Sequence, residues 1–140
     1  MYKFFTILLF IFTLNLSAAD IKWAKDFKSG VEEAKKVNKP IYFLSSNHTC
    51  RYCIKLKRTT LKDKKIINEL NNNFISIITY SDDSDYMPEE LWRPGTPASW
   101  FLFPNGEPMF QPVLGAVNAK DFSEILEAVK KEFSEVKNKK

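Results

Sequence analysis

Two periods organise the apolar positions of this chain. From Trp23 to Val37, the residues Phe27, Val31, Ala34 and Val37 recur at helical spacing, and Asn38-Lys39-Pro40 stops the run. Ile41 to Ser45 is short, apolar and β-prone, which predicts a buried strand. Asn47-His48-Thr49 reads as a loop, and a helix follows from Cys50 to about Leu61. Asp63 is placed to cap a further helix to Leu70, with Ile66, Ile67 and Leu70 on its apolar face. Phe74 to Thr79 is the next strand. Tyr80 to Gly95 is a long acidic connection, in which Pro88 opens one helical turn through Trp92. Ala98 to Phe103 is a third strand and Met109 to Leu114 its hairpin partner. Between them lies Pro104-Asn105-Gly106, where Asn-Gly accepts the positive φ angles of such turns. Asn118 caps a last helix, with Asp121 three residues on, and Phe122, Ile125, Leu126, Val129 and Phe133 form its apolar stripe.

The first two strands are joined through helices and should run parallel, whereas the hairpin adds two antiparallel strands. The expected fold is α/β, with a mixed central sheet of about four strands flanked by helices.

Composition adds the organisation of the ends. Lys3, the apolar run Phe4 to Leu14 and the small residues Ser17-Ala18-Ala19 have the form of a secretory signal peptide over residues 1–19. The apolar run is short for a bilayer span, and no other segment approaches one. Residues 20–136 make one domain, long enough for a real core. The basic tail 137–140, Lys137-Asn138-Lys139-Lys140, is expected to be solvated and frayed. A formal net charge of +4 is too mild to argue for nucleic acid.

The chain has two cysteines, in Cys50-Arg51-Tyr52-Cys53. An exported chain with only one pair is no disulfide scaffold, and a bridge across so small a ring adds little stability. A strand delivering C-x-x-C to a helix N-terminus is instead the layout of a dithiol redox site. Unpaired N–H groups and the helix dipole favour a thiolate at Cys50, the expected nucleophile, and Arg51 and a protonated His48 would add positive charge. Cys53, one turn further in, is the expected resolving thiol. His48 could join both thiols around copper or zinc. As the sole histidine it leaves the set short of a fourth ligand, so no metal is expected. Ile54 stands where covalent haem attachment needs histidine. The acids Asp82, Asp83, Asp85, Glu89 and Glu90 lack the EF-hand pattern and read as a solvated loop.

Lys39-Pro40-Ile41-Tyr42-Phe43, the C-x-x-C motif, Gly95-Thr96-Pro97-Ala98 and Phe103-Pro104-Asn105-Gly106 with Gly115 resemble corresponding pieces of the thioredoxin superfamily. More narrowly, the chain is similar to exported bacterial thioredoxin-like proteins over about Trp23 to Phe133. The resemblance implies a thioredoxin-like fold, a cis bond before Pro97, and a Thr96 backbone that pairs with an extended substrate. Trp92, in the preceding loop, would border the substrate groove. It also implies a periplasmic thiol–disulfide oxidoreductase, most often a reductase, that needs no cofactor. Disulfide-bearing proteins would be its substrates, a membrane thiol-electron transporter its source of electrons, and a monomer its working state. A metal-handling or peptide-binding module on the same fold is the alternative. Thr49 replaces the family's usual tryptophan, and Leu44 replaces its buried acid six residues before Cys50. Arg51 and Tyr52 replace Gly-Pro, which is expected to stabilise the thiolate and make the couple more oxidising than thioredoxin's.

Overall fold

The computed structural model describes residues 19–139, so the expected signal peptide lies outside the described residues but for Ala19. Helix α1 spans Phe27–Val37. It starts later than the periodicity implies, because Asp26 caps it by accepting the Ser29 N–H at 2.7 Å. Trp23 instead forms a parallel bridge with Ser76. Asn38 ends the helix in the left-handed region at φ 51°.

Strand β1, Ile41–Ser46, is buried along its whole length. Helix α2 is shorter than expected, Arg51–Arg58, and a 3₁₀ turn follows at Thr60–Lys62. At the break, the Thr59 hydroxyl bonds back to the Lys55 carbonyl at 2.8 Å, a contact that bends helices. Asp63 caps α3, Lys64–Asn73, through the N–H groups of Lys65 and Ile66. Strand β2 is Ile75–Tyr80. The acidic connection carries 3₁₀ turns at Ser81–Asp83 and Glu89–Leu91, with Pro88 just before the second rather than inside it.

Strand β3, Ala98–Leu102, pairs with a β4 of only two residues, Val113–Leu114. The partner expected from Met109 onward is interrupted because Pro108 and Pro112 offer no N–H to a ladder. Contact upstream is reduced to a Leu102–Pro108 bridge and one Met109 N–H to the Phe101 carbonyl at 2.9 Å. Helix α4 runs Ala119–Asn138 and takes in Lys137 and Asn138, which the sequence pattern assigns to the tail.

The strand order is β2-β1-β3-β4, with β1 and β2 parallel and the other pairs antiparallel. Alternation along β1 divides the core. Tyr42 and Leu44 pack on one face with Leu56, Leu61, Phe122, Leu126 and Val129. Ile41 and Phe43 pack on the other with Phe27, Ala34, Ile77, Leu91 and Trp100. The central strand therefore ends in a rigid, two-sided core, and the cysteines follow directly from it. Among the described residues, no helix is long and apolar enough to cross a membrane.

Candidate active site

The loop after β1 turns through Asn47, whose Oδ1 accepts the Thr49 N–H at 2.9 Å and the Thr49 hydroxyl at 2.8 Å. This local turn delivers Cys50 to the N-cap of α2. Its Sγ accepts the Cys53 N–H at 3.2 Å and lies 3.3 Å from the Thr96 carbonyl. Cys50 is half-buried, whereas Cys53 is 1% exposed. One sulfur can meet a substrate and the other waits behind it.

The two thiols are shifted in opposite directions. Partial burial pushes Cys50 up. Hydrogen bonds from the Cys53 and Thr96 side chains and from the Cys53 and Tyr52 N–H groups pull it further down, leaving it below the ordinary thiol range. Cys53 is raised, first by burial and then by its bond with Cys50. Of the two, the outer sulfur is therefore the one whose ionised form is favoured. Arg51 is exposed, and neither its charge nor that of His48 is among the principal influences on Cys50. Tyr52 acts through its backbone N–H, and its side chain is 57% exposed.

The family of thioredoxin-like domains matches residues 27–130 of this sequence. The chain belongs to that family. It is 30% identical over 77 residues to mouse (Mus musculus) anterior gradient protein 3, an alignment covering 54% of this chain and 47% of that protein. It thus spans about half the length of that curated relative. Among solved structures, a thioredoxin from Thermus thermophilus superposes with a TM-score of 0.67 at 19% identity, covering 79% of this chain and 88% of that one. DsbH oxidoreductase superposes at 0.63 with 19% identity, covering 84% and 90%.

In this thioredoxin-like domain the Thr96–Pro97 bond is cis, and Pro97 is buried with its carbonyl accepting the Gly115 N–H at 3.0 Å. Thr96 is the predicted substrate-side residue that the fold brings against a sulfur. Trp92 is 58% exposed in the connection leading to it. Leu114, 59% exposed, is opposite Ala98 in the sheet and adds an apolar residue beside Pro97 that the sequence reading missed.

His48 goes elsewhere than the soft metal set required. Its Nδ1 is 3.1 Å from Asp82 Oδ2 and 3.7 Å from Asp83 Oδ2, and its ring stacks on Tyr80 at 3.8 Å. Lys57 of α2 also reaches Tyr80, its Nζ 3.3 Å from the hydroxyl. The five acids of the acidic connection are exposed, as the sequence implies, and the Asp82 carboxylate also accepts the His48 N–H and so ties down the loop before Cys50. His48, Asp82 and Asp83 are together the one group among the described residues that could share a cation, and it is exposed.

Proposed function

We propose that this protein is an exported thiol–disulfide oxidoreductase that acts on protein disulfides through Cys50 and Cys53, with reduction as its main direction. The observation that carries the reading is the paired geometry. A half-buried Cys50 sulfur caps α2 and takes the N–H of a buried Cys53, with its ionisation favoured and that of Cys53 held back.

The exchange follows from that order of ionisation. The Cys50 thiolate attacks a substrate disulfide. A Cys50–substrate bond forms, and the first substrate sulfur departs and takes up a proton. Cys53 then loses its proton and attacks the Cys50 sulfur. The Cys50–Cys53 bond forms, the second substrate sulfur leaves and is protonated, and two electrons have passed to the substrate. The two sulfurs carry the electron pair, so no cofactor takes part. Thr96, beside Cys50, offers main-chain groups to an extended substrate, and Trp92 and Tyr52 offer exposed apolar surface near the path of its side chains. Export through residues 1–19 would place the protein in the periplasm. There, the resemblance to exported thioredoxin-like proteins points to a membrane thiol-electron transporter as the source of electrons, and to a monomer.

Trapping tests this reading. Cys53→Ser removes the resolving attack, so Cys50 should accumulate in mixed disulfides with client proteins, visible as reducible adducts on a non-reducing gel. A variant with no more adducts than the wild type would mean that the fold serves binding alone.

A further inference from the structure

Alternation along β1 puts Ser46 on the face of Tyr42 and Leu44, which α2 covers through Leu56. Ser46 is 0% exposed, and its Oγ is one of three buried side-chain N/O atoms without a hydrogen-bond partner among the described residues. Its main chain is served, since the Ser46 carbonyl accepts the Ser81 hydroxyl at 3.3 Å. A buried hydroxyl left unpaired is costly and calls for a reason. The nearby Cys53 thiol supplies one. Besides burial, the main influences on that thiol come from four groups: the Cys50 thiol at the cap of its own helix, Thr96 from the loop before β3, the Ser46 hydroxyl from the end of β1 and the Asn47 N–H just after it. None of these four is a carboxylate or an amine. Cys53 precedes Leu56 by one helical turn on the buried side of α2, the side packed on the Tyr42–Leu44 face that Ser46 shares, and the Ser46 hydroxyl favours the ionised form of that thiol.

We propose that the Ser46 hydroxyl is the donor that receives the negative charge of Cys53 in the resolving step, which makes it a catalytic residue of the exchange proposed above. Before the step the hydroxyl has no anion to bond. As Cys53 gives up its proton and attacks the Cys50–substrate disulfide, Ser46 Oγ–H donates to the Cys53 sulfur. The departing substrate thiolate takes up one proton, so Ser46 keeps its own throughout. A neutral hydroxyl can meet this need where Leu44 leaves the strand without an acid.

The test follows the reduced protein reacting with an aromatic disulfide in a stopped-flow spectrometer. One coloured thiolate is released when Cys50 attacks and a second when Cys53 resolves. In Ser46→Ala, the first phase should match the wild type. The second should be about tenfold slower at neutral pH, with its pH midpoint about one unit higher. The slowing should disappear at alkaline pH, where Cys53 is ionised without help. Ser46→Thr should restore the second phase. The melting temperature of Ser46→Ala should equal or exceed that of the wild type, because the substitution removes an unpaired hydroxyl. A second phase in Ser46→Ala that matches the wild type overturns the assignment. So does a slowing that is equal at every pH, or a threonine variant as slow as alanine. A wild type with no second phase overturns the exchange reading itself, and this assignment with it.

Discussion

At the scale of single residues, the chemistry is set by what each sulfur touches. Cys50 has donors around it, and Cys53 has a core around it. Iodoacetamide should therefore label Cys50 and spare Cys53 in the reduced protein. Because the Cys50 thiol is held below the ordinary range, labelling should rise with pH through that lower value and fall off only as the thiolate is protonated on the acid side. Arg51→Gly should leave this midpoint nearly in place, since the exposed guanidinium is screened while the hydrogen bonds remain. Peptide mapping of the label across a pH series checks both statements. Preferential labelling of Cys53 would reverse the roles of the two sulfurs.

At the scale of elements, the site depends on how closely helices approach the sheet. Gly30 in α1 lies over β2, where a Cβ would sit 2.5 Å from Ile77 Cδ1 and Cγ1 and 3.1 Å from Ala24 Cβ. Overpacking costs about 1–3 kcal/mol, whereas replacing a helical glycine by alanine returns ~1 kcal/mol. Gly30→Ala should therefore lose about 1 kcal/mol in a urea titration while the rate of Cys50 alkylation is unchanged. An equally stable variant would show that α1 can move outward freely. The end of β2 does a second job, because Tyr80 meets both the His48 loop and Lys57 of α2, on either side of the cysteines in sequence.

At the scale of the whole molecule, one face of the sheet is closed by a helix from the far end of the chain. Phe122 of α4 is 0% exposed and meets Tyr42 edge-on, with ring centroids 5.4 Å apart. Phe122→Ala should cost about 3–5 kcal/mol. That is a large share of a typical domain's stability of about 5–15 kcal/mol. Thermal unfolding followed by circular dichroism checks it, and a shift of only a degree or two would place the stabilising contacts elsewhere.

What the sequence determined by itself was whatever short-range spacing encodes. The α4 stripe from Phe122 to Val129, the Asp63 and Asn118 caps, and a thiol pair one helical turn apart are all local, so periodicity and turn chemistry were enough to read them. The sequence pattern overstates the extent of β4, because the apolar run from Met109 implies a pairing for which Pro112 lacks the donor. Only tertiary structure decided the contacts between distant segments. Cys50 meets Thr96 from 46 residues away, and His48 finds Asp82 from 34 residues away instead of turning to the thiols. The burial of Cys53 and the unpaired Ser46 hydroxyl depend likewise on the seating of α2 against β1. Strand register and helix packing bring these groups together, and a linear pattern records which face a residue takes but not which distant residue it will meet there.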